Sequence, residues 1–260
     1  MRYFDTHAHY NDVRFDEDRE QLFSDFVSVG VVAVTNIATD IATSYINDEY
    51  TKKYDFMYGT VGVFPTDTAE LEEPGAIDKL YELLNTNDRL VAVGEVGLDY
   101  HYDVIDKALQ KKWFEGQMDL ARRAGVPIAV HSRDAAKDTV DIMRACKAGD
   151  IGGVMHCYGY TKEMAKDFLD MDFFFGIGGV VTFKNAKKLK EAVEYIPISN
   201  IVLETDAPYL APDPYRGKRN NSLYLSYVAE EIARIKDLSV EEVCEATLKN
   251  ACRLYRVNEE

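Results

Sequence analysis

The chain is poor in positive charge: of its 260 residues 30 are Lys or Arg against 45 Asp or Glu, a formal net charge of -15. Broad, sequence-independent adhesion to nucleic acid depends on clustered cations that neutralise phosphates, so this composition argues against that mode. Local phosphate recognition stays open, because bound divalent ions can supply the positive charge themselves. Cysteine is scarce as well. Cys146, Cys157, Cys244 and Cys252 show no Cys-x-x-Cys spacing, which excludes a disulfide scaffold and leaves small reduced thiols as the expectation. No apolar run approaches transmembrane length, so no membrane association is expected. Acidic Asp5 and two imidazoles stand where a signal peptide would need a long apolar segment, so the cytoplasm is the expected location. Lastly, no Gly-x-Gly-x-x-Gly turn follows any strand-like run, which argues against an open dinucleotide-binding sheet.

What remains is an ordinary globular composition, 47% hydrophobic and 29% charged, at a length that suits one domain spanning residues 1–260. Short β-rich runs alternate with longer helical ones throughout. Strands are expected at Arg2 to Asp5, Val31 to Ile37, Phe56 to Val63, Leu90 to Val93, Ile128 to Val130, Gly153 to Met155, Phe173 to Ile177 and Ile201 to Leu203. Between them, Leu109, Trp113, Leu120 and Ala124 mark the apolar face of the longest helix, and Val140, Met143 and Ala145 that of the next. Asp16, Thr161 and Ser239 precede helices as N-caps, and the last helices are expected over Ser222 to Lys236 and Val240 to Asn250. Eight short apolar strands in βα alternation predict an α/β fold, a closed (β/α)8 TIM barrel.

Such barrels build their sites at the C-terminal ends of the strands. There this chain places His7 and His9, Glu95, His131, His156 and Asp206, using four of its five histidines. Imidazole nitrogens mixed with carboxylate oxygens suit Zn, Mn, Fe or Mg, and a carboxylate can bridge two ions that share an activated water. Glu95 is the expected bridge, and Asp206 the expected ligand that also serves as general base. Taken singly, each has a structural reading: Glu95 could pair with a Lys, Asp206 could cap the turn before Pro208, and either His131 or His156 could be a satisfied core imidazole. Together, at five strand ends, they point to a metal site.

The same residues carry a resemblance. Phe4-Asp5-Thr6-His7-Ala8-His9, Gly94-Glu95-Val96-Gly97-Leu98-Asp99-Tyr100, His131-Ser132-Arg133-Asp134-Ala135, His156-Cys157 and Glu204-Thr205-Asp206-Ala207-Pro208-Tyr209-Leu210 resemble the TatD-related deoxyribonucleases of the amidohydrolase superfamily. The likeness continues through Arg216-Gly217-Lys218-Arg219-Asn220 and Asn250-Ala251-Cys252-Arg253-Leu254-Tyr255. It implies a hydrolase with two divalent ions (Mg, Mn or Zn), acting on nucleic-acid phosphodiesters, DNA favoured and commonly from the 3′ end. It also implies His7, His9, Glu95, His131, His156 and Asp206 as the ligands. Asn221-Ser222 departs from the family's acidic-Pro step, and Gly176-Ile177-Gly178-Gly179 from a more Ser-rich turn.

Around these residues, Arg133, Arg216, Lys218, Lys184 and His101 are the candidates for holding substrate, as phosphate clamps or stacking groups. For Arg133 a salt bridge to Asp134 or Glu95 competes, and Arg219 reads as part of a solvated charge run. Two other functions keep the same ligands: a D-aminoacyl-tRNA deacylase or small-molecule ester or amide hydrolase, and a non-catalytic binding module with a structural metal. No obligate protein partner is evident.

Overall fold

The computed structural model of the chain describes residues 1–102 and 106–259. Eight parallel strands, β1 (Tyr3–Ala8), β2 (Val31–Asn36), β3 (Met57–Val61), β4 (Leu90–Asp99), β5 (Ile128–Arg133), β6 (Gly153–Met155), β7 (Phe174–Ile177) and β8 (Ile201–Leu203), follow one another in chain order within one sheet. The helices are α1 (Arg19–Val29), α2 (Ile41–Lys53), α3 (Ala76–Thr86), α4 (Lys107–Ala124), α5 (Ala136–Ala145), α6 (Lys162–Leu169), α7 (Lys187–Tyr195), α8 (Leu225–Lys236) and α9 (Val240–Tyr255). β1, β4, β6, β7 and β8 are buried along their whole length, as parallel strands covered on both faces must be.

By internal packing the chain divides into two units. One comprises Met1–Asn36, Cys157–Leu169 and the chain from Phe174 onward; the other comprises Ile37–His156 with Asp170–Phe173. In the first, β1 pairs with β2 and β7 with β8, and an isolated bridge joins Ala8 to Ala207. Its core is aromatic: Tyr10 meets Phe15, Phe23 and Phe26 at ring separations of 4.8, 5.1 and 5.7 Å. α9 begins at a Ser239–Glu242 capping box, in which side chain and backbone satisfy each other's orphan donors. It ends with Tyr255 donating its hydroxyl hydrogen to the Thr6 carbonyl at 2.7 Å.

In the second unit β3, β4, β5 and β6 pair in order, and α4 is keyed to the strand ends by two buried glutamines. Gln110 accepts from Asp99 N–H at 2.9 Å and donates to Asp99 C=O at 3.0 Å. Gln117 does the same for Val63 at 2.8 and 2.9 Å. Each carboxamide thus acts as a missing strand neighbour for backbone groups that burial would otherwise orphan. This moves the buried face of α4 to Gln110, Phe114, Gln117, Met118, Leu120 and Ala121. Of the expected stripe Leu109, Trp113, Leu120 and Ala124, Leu120 is buried as expected while the other three are only half-buried, because two core positions carry polar side chains. Trp113 sits at the flank and donates to Glu72 at 2.5 Å.

Three strands run further than expected. β1 reaches Ala8, β4 Asp99 and β5 Arg133, so His7, Glu95 and His131 lie within their strands rather than after them. Asp18, not Asp16, is the residue preceding α1. Ser222 opens a short 3-10 turn ahead of α8, and α9 continues past Asn250.

Candidate metal centre

His7 and His9 are set by an irregularity in β1. From Asp5 to Ala8 the strand advances three residues while β2 advances from Val34 to Asn36, so the segment Thr6-His7 forms a bulge. A bulge re-aims side chains that strict alternation would fix. Past the strand, Asp206 N–H donates to His7 C=O at 2.9 Å and His9 N–H to Ala207 C=O at 2.7 Å, which laces the end of β1 to the residues following β8. Asp206 has a left-handed φ of 55°, a conformation uncommon outside Gly, Asn and Asp. The three side chains converge: His7 Nε2 is 3.3 Å from His9 Nε2, and Asp206 Oδ1 is 3.4 Å from His9 Nε2 and 3.9 Å from His7 Nε2.

Beneath this triangle lies a buried carboxylate. Asp5 Oδ1 accepts from the N–H groups of His7 (3.3 Å) and Thr205 (3.0 Å), and Oδ2 accepts from the hydroxyls of Thr205 (2.7 Å) and Ser222 (2.6 Å). Ser222 N–H in turn donates to the Tyr10 hydroxyl at 2.8 Å. Complete burial pushes the Asp5 pKa up to about 7, against the pull of Ser222, Thr205 and His7. A proline at position 222, in the family manner, has neither of the two donors used here.

The second unit holds the other cluster. β4 advances from Val93 to Val96 while β5 advances from Ile128 to Val130, so Gly94-Glu95 also forms a bulge. Gly97 then passes β5 at a φ of 139°, where a Cβ would stand 2.0 Å from the His131 carbonyl oxygen. Glu95 Oε1 lies 2.8 Å from His131 Nδ1 and 3.6 Å from His156 Nε2, and these three residues form one group of potential ligands. The other ring nitrogen of His131, Nε2, meets Asp99 Oδ2 at 3.0 Å. That is the carboxylate–histidine pairing that orients metal-ligating imidazoles. Burial disfavours the His131 cation, yet the hydrogen bonds with Asp99 and Glu95 outweigh it and raise its pKa. In Asp99 burial pushes upward, but His131 and the N–H groups of His101 and Tyr102 outweigh it, so its pKa is lowered.

Asp99, Asp5 and Ser222 are the supporting residues that spacing did not single out; the signal for Asp99 was its place at the end of a strand carrying Glu95. Glu204 is a fourth. It is buried and accepts the Cys157 N–H at 2.7 Å. Its carboxylate occupies the space a side chain at residue 176 would need, for a Cβ on Gly176 would stand 1.9 Å from Glu204 Oε2. The departure from a Ser-rich turn there therefore has a steric reason.

The expected substrate-binding cations are exposed and lie on aromatic rings. Arg216 covers Phe183 at 4.3 Å and Lys218 faces Tyr215 at 5.5 Å; Lys184 is exposed ahead of α7. Arg133 lies over Tyr102 at 5.3 Å rather than pairing with Asp134, which instead meets His101 Nδ1 at 3.3 Å. Arg219 is anchored, not loosely solvated: it donates to Asp18 Oδ1 at 2.8 Å and Oδ2 at 2.5 Å.

The donor set of the first unit fits a divalent ion. A tetrahedral ion with bonds of about 2.0–2.2 Å holds neighbouring donors about 3.4 Å apart. His7, His9 and Asp206 have that spacing on two sides of their triangle, 3.3 and 3.4 Å. All their facing atoms are nitrogen or carboxylate oxygen, the mixture that borderline and hard divalent cations prefer.

Comparison with known proteins agrees. Residues 4–256 match the family described as TatD related DNase. The chain is 40% identical to the uncharacterized metal-dependent hydrolase YabD of Bacillus subtilis, over 98% of this chain and 99% of the relative. It is 33% identical to the uncharacterized metal-dependent hydrolase YcfH of Escherichia coli K12, covering 98% and 96%. The crystal structure of YJJV, a TatD homolog from Escherichia coli K12, superposes with a TM-score of 0.91 at 25% identity, covering 98% of each chain. The fold is thus the (β/α)8 TIM barrel, and the protein is a metal-dependent hydrolase. The chain belongs to the TatD-related DNase family.

Proposed function

We propose that this hydrolase cleaves phosphodiester bonds of nucleic acid, DNA in preference, releasing nucleotides from the 3′ end with the aid of two divalent ions (Mg, Mn or Zn). The observation that carries the reading is the triangle of His7, His9 and Asp206, whose donor spacing suits a cation. The family description as a DNase supports the phosphodiester as the bond attacked. His7, His9 and Asp206 would hold metal in one unit and Glu95, His131 and His156 in the other. Bound divalent ions supply a lowered pKa for water and charge stabilisation at the phosphoryl oxygens. Asp206 accepts the proton of the attacking water, its carboxylate held at the end of the segment that donates to His7 C=O. Asp99 fixes the ring of His131, so that Nδ1 faces the same space as Glu95 Oε1. Arg133, His101, Lys184, Arg216 and Lys218 hold the phosphates beside the scissile one.

The test is cleavage of single-stranded and duplex DNA labelled at either end, with metal-stripped protein resupplied with Mg, Mn or Zn. A metal-dependent ladder shortening from the 3′ end, lost in His7→Ala and Asp206→Ala, is the expected result. Cleavage that persists in both variants, or none with any metal, overturns the proposal.

A further inference from the structure

Three residues beyond Asp206, Tyr209 is held out beside the cluster of His7, His9 and Asp206. Its N–H donates to the Asp206 carbonyl at 2.8 Å, and its ring lies 6.3 Å from that of His9, edge on at 78°. The following residue, Leu210, has a left-handed φ of 53°, a strained conformation for a branched side chain. Tyr209 and Leu210 nevertheless stay 47% and 42% exposed. The turn that holds Leu210 in this conformation leaves the Tyr209 ring displayed beside His9 rather than buried.

The guanidinium of Arg14 lies over the Tyr209 ring, 4.4 Å from its centroid. That cation is already engaged: Nε donates to Asp12 Oδ1 at 2.8 Å and Nη2 to Asp12 Oδ2 at 2.6 Å. A guanidinium with its fork filled by a carboxylate is a poor phosphate clamp but a good brace for an aromatic ring. The pair is therefore suited to a flat, uncharged partner. Resting on the nuclease reading above, we propose that Tyr209, braced by Arg14, is the stacking subsite for the nucleobase next to the scissile phosphodiester. A base has a π-face whatever its identity, so such a platform grips a strand without reading sequence.

The test compares base-bearing single-stranded DNA with an oligonucleotide of equal length that is abasic at its last nucleotides. The quantity read is the ratio of kcat/KM on the two substrates, with the metal-loaded full chain. Tyr209→Ala is expected to lower this ratio about tenfold, largely through KM on the base-bearing strand, and Tyr209→Trp to restore it. In stopped-flow mixing, a terminal 2-aminopurine should be quenched by the wild type before turnover and not by Tyr209→Ala. An unchanged ratio with quenching intact overturns the subsite while leaving the nuclease standing. Failure of the wild type to cleave either strand overturns the nuclease reading and the subsite with it.

Discussion

In the first unit the donor atoms of His7, His9 and Asp206 stand 3.3 to 3.9 Å apart, whereas in the second His131 meets carboxylates at 2.8 and 3.0 Å on its two ring nitrogens. The first cluster is placed by its main chain, through a bulged strand laced to the residues after β8 and a buried Asp5 that gathers N–H and hydroxyl donors. The second is placed by side chains, with Asp99 turning the imidazole and Glu95 facing it. Both rely on a bulge, at Thr6-His7 in one and Gly94-Glu95 in the other. Two ways of fixing a side chain should therefore fail in different ways when disturbed.

The largest difference is expected from Asp206, the proposed general base. Asp206→Asn should lower kcat by about 10²- to 10⁴-fold, measured with a saturating labelled strand, because a carboxamide accepts no proton. A loss of less than tenfold would remove Asp206 from that role. Asp99→Asn comes next: calorimetric titration should show metal uptake at one site weakened by about 10- to 100-fold, as for other partners of ligating histidines. If both uptake steps move together, the two clusters are not independently oriented.

Smaller effects test the frame. Gly176→Ala should cost about 1–3 kcal/mol in urea unfolding, since its Cβ must displace the Glu204 carboxylate. Ser222→Ala should cost about 1–2 kcal/mol by the same measurement, through loss of one donor to buried Asp5. In the Ser222 variant the weakening of metal uptake should fall on the site of His7, His9 and Asp206. An equal shift at the other site would show that the Asp5 network supports the whole molecule rather than one cluster.

Much of this was legible in the chain because strand ends are marked by composition. Short apolar runs closing on His, Glu or Asp located every residue of the two clusters, and the alternation of runs gave the barrel. What could not be read was local backbone irregularity. A bulge at Thr6-His7 or Gly94-Glu95 leaves no periodic trace, because the extra residue lies within the run that it disturbs. Polar residues in the core act in the other direction: Gln110 and Gln117 resemble surface positions, so the apolar pattern of α4 finds Leu120 but points to Leu109 and Trp113 instead of Gln110 and Phe114. Asp5, Asp99 and Glu204 look like further acids in an acidic chain, and only their partners distinguish them. Arg219 likewise became structural through Asp18, a residue remote in sequence.

The two glutamines of α4 carry a consequence for motion. Each closes a pair of hydrogen bonds with one strand-end residue, so α4 cannot slide along β3 and β4 without breaking both pairs at once. The amides of Val63 and Asp99 should then exchange with deuterium only when the helix lifts away as a body, at a common rate. Asp99 also pairs with His131, so the readiness of that imidazole to reorient is set by the detachment of a whole helix.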